Sequence, residues 1–283
     1  MIKGQVVKMN AGRYTVLCGD KIYECSARGN LKIKSDGIVT GDYVSIDERT
    51  LTVDKVLERK SFFIRPSIAN VDAVNVVVAS PPKPDFIMLD KLLLALFSQD
   101  VEVIISVNKS DLNSGVFNEI VANYGDTGCK IVQVSATTGE GLDELKKLLE
   151  NKLVAFAGQS AVGKSSLVSA LFGLKLKTGD VSEKTLRGRH TTTVAEIYSC
   201  GNIRIADTPG FSVIKPQIEP EDIALFYPEY FSRLPYCKFR MCTHVSEPGC
   251  KVSQDVESGL LSSDRYLRYK DIFNEIKSEK LKY

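Results

Sequence analysis

The alternation of apolar and polar residues predicts a small β-domain at the start of the chain. Residues 1–61 contain five short alternating segments separated by turns with Gly, Asn or Asp: KGQVVKMN, GRYTVLCG, KIYECSAR, DYVSIDE and LTVDKVLE. Five short strands without a competing helical period are typical of a small barrel. We therefore predict an OB-fold β-barrel over residues 1–61.

Residues 62–214 show a different pattern, in which buried strands alternate with helices. Apolar runs such as VEVIISVN, KLVAFAG and NIRIADTP indicate strands, and FIMLDKLLLALFSQD, GLDELKKLLE and GKSSLVSALFG have the helical period. This rhythm predicts a mostly parallel sheet with helices on both faces. Ligands of such sheets bind in the loops beyond the carboxyl ends of the strands.

The strand rhythm ends near residue 214. A linker with Pro216 and Pro220 follows, then a predicted helix over EPEDIALFYPEYF, a cysteine cluster, and a last predicted helix over SSDRYLRYKDIFNEIKS. We predict a third, helical domain over residues 215–283. The fold class is thus multi-domain α/β.

A complete phosphate-binding motif follows the strand KLVAFAG. The pattern G-x-x-x-x-G-K-[ST] is matched by Gly158, Gln159, Ser160, Ala161, Val162, Gly163, Lys164 and Ser165, and Ser166 continues into the helix. At such a strand-to-helix turn, backbone N–H groups and the helix N-terminus bind phosphate oxygens. Lys164 is the candidate catalytic cation at the β- and γ-phosphates, and Ser165 is a candidate Mg²⁺ ligand. The alternative, a glycine-bearing turn that binds nothing, fits a full match in this context poorly.

A second loop indicates guanine recognition. The strand VEVIISV is followed by Asn108, Lys109, Ser110 and Asp111, and the strand KIVQVS leads into Ser135 and Ala136. The Asp111 carboxylate can accept hydrogen bonds from guanine N1–H and N2–H₂, whereas adenine would leave it unpaired. Ala136 is expected to offer its N–H to guanine O6. NKSD alone is a common turn, but beside a P-loop it indicates GTP rather than ATP.

Further candidates for magnesium and phosphate contact lie after the P-loop helix. Asp207 ends the strand NIRIA and would hold Mg²⁺ through water, while the Gly210 N–H would face the γ-phosphate. A threonine of the run RGRHTTT would complete the Mg²⁺ shell. We predict Thr192, with Thr191 and Thr193 as open alternatives.

The residue after DTPG affects the expected turnover. Small GTPases often have a glutamine there that orients the attacking water, but this chain has Phe211. Because a phenyl ring cannot hydrogen-bond water, intrinsic hydrolysis is predicted to be slow and to be raised by a partner. His190 is the candidate catalytic residue that would position water instead. A histidine that only contacts solvent or RNA is the equally compatible alternative.

Cysteine usage indicates a metal site in a reducing compartment. Three of the seven cysteines cluster around a histidine, and Cys237, Cys242, His244 and Cys250 are the predicted ligands of one structural Zn²⁺. Three buried free cysteines are the alternative. The chain begins without an apolar leader and has no long apolar run, so a cytoplasmic protein without membrane contact is predicted.

Charge adds little to this picture. The formal net charge of +2 does not by itself indicate a nucleic-acid partner. Cations mixed with aromatics, such as Lys238, Phe239 and Arg240, suit phosphate contact and base stacking. A solvated charged face is the alternative.

The motif order is itself informative, because ordinary small GTPases have the P-loop first and NKxD later. Here NKSD and SA precede the P-loop, RGRHTTT and DTPGF. Together with Cys-x4-Cys-x-His-x5-Cys, these motifs resemble the circularly permuted ribosome small subunit-dependent GTPase A family over essentially the whole chain. The resemblance implies an N-terminal OB-fold barrel, a circularly permuted P-loop GTPase domain and a C-terminal zinc-binding domain.

The same resemblance implies a function: hydrolysis of GTP to GDP and phosphate as a switch in late maturation of the 30S ribosomal subunit, with binding to 16S rRNA. A GTP-locked rRNA-binding scaffold with little catalytic role is one alternative. A GTPase acting on another RNA or protein complex is the other. No dimer-forming stripe stands out, so we expect a monomer.

Overall fold

The N-terminal segment is a closed five-stranded barrel. The computed structural model describes residues 1–28, 37–173, 195–208, 211, 216 and 218–280. The barrel strands are β1 (Ile2–Asn10), β2 (Arg13–Cys18), β3 (Lys21–Ala27), β4 (Tyr43–Asp47) and β5 (Thr52–Val56). Their order is β1-β2-β3-β5-β4, and β4 returns to pair with β1. Alternate residues such as Val6, Val44 and Val53 fill the interior, so the predicted barrel is confirmed.

The central sheet is parallel except at one edge. Its strands are β8 (Ala73–Ala79), β9 (Glu102–Asn108), β10 (Lys130–Gln133), β11 (Leu153–Ala157), β12 (Glu196–Cys200) and β13 (Ile203–Asp207). The order is β10-β9-β8-β11-β13-β12, and β12 is the antiparallel strand. The carboxyl ends of β8, β9, β10, β11 and β13 therefore lie along one edge of the sheet.

Helices cover both faces of this sheet, as predicted. They are α1 (Phe86–Phe97), α2 (Gly115–Tyr124), α3 (Leu142–Leu149) and α4 (Lys164–Phe172). One apolar core packs α1 and α2 against the sheet, and a second core packs α3 and α4 against the opposite face. The inner strands β8, β9 and β11 are buried on both faces along nearly their whole length, which explains their continuous apolar runs.

Two connections between barrel and sheet were not predicted. Strand β1 pairs with β12 at Lys8 and Glu196, so the barrel continues the edge of the central sheet. A short hairpin of β6 (Phe62–Phe63) and β7 (Ile68–Ala69) lies between barrel and sheet. Strands of two residues carry no detectable period in the sequence. We retain 1–61, 62–214 and 215–283 as the proposed domain limits.

The C-terminal domain is built from short helices around an aromatic core. The helices are α5 (Pro228–Phe231), α6 (Lys251–Glu257) and α7 (Ser263–Lys280). The single helix expected over residues 219–231 is wrong: a 3₁₀ segment, Pro220–Phe226, precedes α5. Pro228 has no N–H to continue the helical hydrogen bonds, so the chain starts a new element there. None of the helices in the described ranges combines the length and apolarity needed to cross a membrane.

A buried ion-pair network attaches the C-terminal domain to α1. Asp90 on α1 is fully buried, and its carboxylate accepts hydrogen bonds from Arg265 and Arg268 of α7. Arg265 also donates to Glu229 of α5 at 2.5 Å. Burial alone would lower the pKa of Arg265, but the carboxylates of Glu229 and Asp90 raise it above its ordinary value. Leu94 on the same helix joins the aromatic core, so α1 belongs to both domains.

Replacing Asp90 with alanine would leave Arg265 and Arg268 buried without their shared carboxylate. We expect the free energy of unfolding to fall by about 3–5 kcal/mol, as for other buried ion pairs that lose one partner. Chemical denaturation followed by circular dichroism measures this change.

The control for Asp90 is Glu275→Ala, which breaks the exposed Lys91–Glu275 pair between the same two helices. Exposed pairs contribute about 0–1 kcal/mol. If the two variants lose equal stability, the buried network does not hold the domains together.

Candidate nucleotide and metal sites

The P-loop has the backbone shape that its glycines permit. It runs from the end of β11 to the start of α4, with positive φ angles at Gly158 and Gly163. A Cβ on Gly158 would lie 2.1 Å from the Val77 carbonyl oxygen, and one on Gly163 would lie 2.6 Å from the Asn108 side-chain nitrogen. Any side chain at either position would push neighbouring strands or loops apart. The loop can therefore pack tightly against β8 and the NKSD segment.

Lys164 folds back over the P-loop. Its Nζ donates to the carbonyl oxygens of Gly158 at 2.8 Å and Gln159 at 2.6 Å. Burial lowers the pKa of Lys164, and a polyphosphate beside it would oppose that shift. The side chain is thus placed where the predicted phosphate contact requires a cation.

Asn108 joins three loops at the carboxyl edge of the sheet. Its Nδ2 donates to the Val162 carbonyl of the P-loop at 2.9 Å, and its Oδ1 accepts from the Ala136 N–H at 3.1 Å. The side chain is 2% exposed. Lys109, next in the chain, donates to the Ala161 carbonyl at 2.8 Å. The structure thus brings the P-loop, NKSD and SA segments together, although Asn108 and Val162 are 54 residues apart in the chain.

The Asp111 carboxylate is held by the SA segment. Its Oδ1 accepts from the Ser135 hydroxyl at 2.6 Å, and the Ser135 oxygen in turn accepts from the N–H groups of Thr137 and Thr138. Asp111 itself is exposed. The bond to Ser135 therefore fixes the orientation of the carboxylate through Oδ1 and leaves the group accessible to a ligand. That arrangement suits a group that reads the edge of a base.

One supporting residue, Glu140, was missed by sequence reasoning. Its carboxylate accepts from the Ser110 hydroxyl at 2.7 Å and so links NKSD to the loop after β10. Gln159, which was predicted from the P-loop motif, also accepts from the Asp85 N–H at 3.2 Å and connects the P-loop to the start of α1. Both contacts join residues distant in the chain, so no local motif signals either of them.

Two of the predicted magnesium ligands, Ser165 and Asp207, lie within the part of the chain that the structure describes. Ser165 lies in the first turn of α4, and Asp207 ends β13, which pairs in parallel with β11. Hydroxyl and carboxylate oxygens from neighbouring strand ends suit a hard cation such as Mg²⁺. The remaining predicted residues lie outside the described part of the chain: His190, Thr191, Thr192, Thr193 and Gly210.

Phe211 is packed into the protein core. The side chain is 1% exposed, and its ring meets the Phe63 ring edge-on with centroids 5.2 Å apart. Position 211 therefore anchors its segment to the β6–β7 hairpin. It supplies no polar group to a water molecule near the phosphates.

The four predicted zinc ligands meet in the C-terminal domain. The ligand atoms of Cys237, Cys242, His244 and Cys250 all lie within 4.8 Å of one another. His244 Nδ1 is 3.4 Å from the Cys250 sulfur and 3.7 Å from the Cys237 sulfur. Nδ1 is therefore the nitrogen that faces the cluster.

The chemistry of this cluster fits a structural metal ion. Burial raises the pKa of the Cys242 thiol to about 12 and lowers the pKa of His244. A bound cation would offset the cost of ionising the thiol, because metal-bound thiols lose their protons, and the lowered pKa of His244 already favours the neutral imidazole that ligates metal. Three thiolates and one imidazole leave no open coordination position, which favours Zn²⁺ in a structural role.

The loop that carries His244 is held by hydrogen bonds that the sequence did not reveal. Glu247 accepts from the N–H and hydroxyl of Thr243 at 2.7 and 2.6 Å and from the N–H of Ser246 at 3.1 Å. Burial opposes ionisation, but these donors lower the pKa of Glu247 to about 2. Tyr266 donates to the His244 carbonyl at 2.8 Å. Such bonds orient the metal-binding residues before metal binds.

The fold and these loops define a P-loop GTPase whose base-reading loop precedes its phosphate-binding loop in the chain, that is, a circularly permuted GTPase. The RsgA GTPase family model matches residues 56–217, and the RsgA N-terminal domain model matches residues 3–52. The chain belongs to the RsgA GTPase family, and the activity of that family is GTP hydrolysis.

Curated relatives and solved structures agree with this placement. The small ribosomal subunit biogenesis GTPase RsgA of Geobacillus sp. (strain WCH70) is 38% identical, with all of both chains covered. The protein of the same name from Carboxydothermus hydrogenoformans is 39% identical over 98% of this chain and 99% of its own. YjeQ from Thermotoga maritima has a TM-score of 0.82 and 32% identity over 97% and 98% of the two chains. YloQ, a circularly permuted GTPase, has a TM-score of 0.82 and 28% identity over 99% of this chain and 96% of that chain.

Asp111→Asn tests the base-reading loop. The amide replaces one acceptor with a donor, which mismatches guanine N1–H or N2–H₂ but matches the C2 carbonyl of xanthine. We expect the preference for GTP over xanthosine triphosphate to fall by about 10⁴-fold, as for sites whose buried polar partner is removed. Competition binding with a fluorescent GDP analogue measures it.

The matched control is Asp143→Asn in the first turn of α3, outside the three converging loops. It should bind both nucleotides as the wild type does. An unchanged preference in the Asp111 variant would remove this residue from guanine recognition.

Proposed function

We propose that the chain is a Mg²⁺-dependent GTP hydrolase that acts as a switch in late maturation of the 30S ribosomal subunit and binds 16S rRNA. The observation that carries this proposal is the convergence of the P-loop and NKSD through Asn108. The family placement supports it, because the relatives are named for small ribosomal subunit biogenesis. A cytoplasmic monomer is part of the proposal.

The proposed roles at the nucleotide follow from the placement of each group. The backbone of Gly158–Ser165 binds the phosphates, with Lys164 as the cation at the β- and γ-phosphates. Asp111 recognises the guanine edge, whereas the Ala136 N–H is already donated to the Asn108 side chain at 3.1 Å. Ser165 and Asp207, with Thr192 as the third ligand, hold Mg²⁺, which neutralises charge on the phosphates. Thr191 and Thr193 remain alternatives to Thr192.

Slow intrinsic turnover is part of the same proposal. With Phe211 buried, position 211 cannot orient the attacking water, and the proposed replacement is His190. A partner that completes the site can raise hydrolysis by up to about 10⁵-fold. The small ribosomal subunit is the proposed partner.

A surface loop beside the metal cluster suits RNA. Between the ligands Cys237 and Cys242 lie Lys238, Phe239 and Arg240, and Tyr236 just before them is 74% exposed. Exposed rings alternate here with cations on a loop that the metal would hold rigid. This combination supports stacking on unpaired bases together with phosphate contact.

The second candidate function is a GTP-locked rRNA scaffold, which the burial of Phe211 also favours. Multiple-turnover phosphate release with and without 30S subunits separates the two. If the chain is a switch, we expect stimulation of about 10³-fold or more, the range seen when a partner completes a GTPase site. If the chain is a scaffold, we expect no stimulation.

Cosedimentation with 30S subunits tests the identity of the partner. It is measured with a non-hydrolysable GTP analogue and with GDP, since a GTPase for another complex would show no nucleotide-dependent binding to 30S.

The double variant Tyr236→Ala/Phe239→Ala tests the RNA loop. Base stacking on an aromatic side chain contributes about 1–3 kcal/mol, so affinity for 30S should fall by about tenfold or more. Nucleotide affinity should stay unchanged. Leu260→Ala, which removes another exposed apolar side chain from the C-terminal domain, is the control. Equal 30S affinity in both variants would exclude the loop from the interface.

Cys242→Ser tests the proposed zinc site. Loss of one thiolate from a closed four-ligand site should abolish stoichiometric zinc, measured by mass spectrometry of metal content, and destabilise the C-terminal domain. Cys200→Ser, which changes a cysteine of β12 outside the cluster, should retain the metal. Full zinc content in the Cys242 variant would contradict the ligand assignment.

A further inference from the structure

The loop that leads into β4 of the barrel is built into the GTPase domain. Within this loop, Thr40 is fully buried and forms a parallel bridge with Ile68 of β7, and its carbonyl accepts from the Ala69 N–H at 2.9 Å. Gly41 lies so close to β7 that a Cβ there would be 2.0 Å from the Ala69 carbonyl oxygen. The same glycine donates its N–H to the Val6 carbonyl of β1 at 2.7 Å. Barrel and hairpin therefore move together.

The Thr40 hydroxyl extends this attachment to the GTPase sheet. Its Oγ1 donates to the Ala195 carbonyl at 2.9 Å, in a buried contact between residues 155 positions apart. Ala195 is the residue before β12, and in the sequence it follows the threonine run by two positions. One residue further, Glu196 pairs with Lys8 of β1 at 2.9 Å. The barrel thus contacts the chain just after the proposed Mg²⁺-binding threonine.

The hairpin connects Thr40 to the second phosphate-sensing segment as well. Ile68, the bridge partner of Thr40, pairs across the hairpin with Phe63. The Phe63 ring in turn packs against Phe211, which directly follows Gly210 in the chain. All three side chains are at most 3% exposed and belong to one core. A shift of Phe211 must therefore be absorbed by the hairpin, because packed cores do not deform continuously.

These five residues form one buried chain of contacts, which we name the switch–barrel joint: Ala195, Thr40, Ile68, Phe63 and Phe211. Its two ends border the two segments proposed to contact Mg²⁺ and the γ-phosphate. Its middle is the barrel loop. Contacts that serve only to dock the barrel could have used any part of the sheet, whereas these reach Ala195 and Phe211, the described residues that flank the two proposed segments in the chain.

We propose that Thr40 is a positioning residue for GTP hydrolysis, which couples the barrel to both phosphate-sensing segments through the switch–barrel joint. The coupling is reciprocal by thermodynamic linkage. GTP in place of GDP alters the barrel loop, and a ligand on the barrel alters the phosphate-sensing segments. The effect of a barrel ligand on the phosphate-sensing segments rests on the proposed function, in which that ligand is the RNA of the small subunit.

The decisive test requires no ribosome. Hydrogen exchange of residues 37–47 is measured in the full chain with a non-hydrolysable GTP analogue and with GDP. In the wild type we expect exchange in this segment to differ by about three- to tenfold between the two states, the size of one hydrogen bond. Thr40→Val removes the hydroxyl at constant shape and should abolish the difference. Thr40→Ser keeps the hydroxyl and should restore it.

Two further variants separate coupling from general damage. Thr52→Val removes a hydroxyl that bonds Thr50 within the barrel at 2.8 Å and should keep the nucleotide-dependent difference. Phe63→Leu preserves an apolar side chain but loses the ring contact with Phe211, and should reduce the difference without touching the Thr40 bond. Affinity for GDP should remain within about twofold in all of them, since none contacts the nucleotide loops.

The outcomes are distinct. A nucleotide-dependent difference that persists in Thr40→Val, or one that is absent in the wild type, overturns the proposal. In hydrolysis assays, Thr40→Val should lower the 30S-stimulated kcat by about three- to tenfold, the effect of one lost hydrogen bond, with the subunit KM unchanged. If the 30S subunit does not stimulate GTP hydrolysis by the wild type, the proposed function is wrong. The hydrogen-exchange result would still test the switch–barrel joint.

Discussion

The nucleotide site depends on one buried amide. Asn108 bonds the P-loop carbonyl of Val162 with its nitrogen and the Ala136 N–H with its oxygen. A Cβ at position 163, where φ is +89°, would lie 2.6 Å from the Asn108 nitrogen, so this close packing favours glycine there. Without the Asn108 side chain, the phosphate-binding and base-reading loops would lose their buried link and keep the exposed bond between Lys109 and the Ala161 carbonyl. With it, they form a single surface that can bind both ends of a nucleotide.

The permuted order determines how the other domains attach. Because β13 is the last strand of the sheet along the chain, Phe211 is followed in the sequence by the C-terminal domain, which is anchored on α1 by the buried Asp90 network. The barrel precedes the sheet and is joined to its β12 edge. The GTPase domain is therefore attached to the C-terminal domain through α1 and to the barrel through β12.

Much of this was predictable because the signals are local. Strand and helix periods identified the barrel and the parallel sheet, and contiguous motifs identified the nucleotide and metal loops. The features that were not predicted depend on contacts between residues distant in the chain. Glu140 accepts a hydrogen bond from Ser110, and Thr40 donates one to the carbonyl of Ala195, 155 residues away. The predicted helix over residues 219–231 is interrupted because Pro228 lacks the N–H that would continue its hydrogen bonds.

In our proposal, loops distant in the chain bind one guanine nucleotide together. An experimental structure of the chain with GDP tests this directly. We predict the guanine N1 and N2 atoms within hydrogen-bond distance of the Asp111 carboxylate, with the β-phosphate enclosed by the backbone after Gly158. A nucleotide bound with its base away from Asp111, or with its phosphates outside the P-loop, would contradict it.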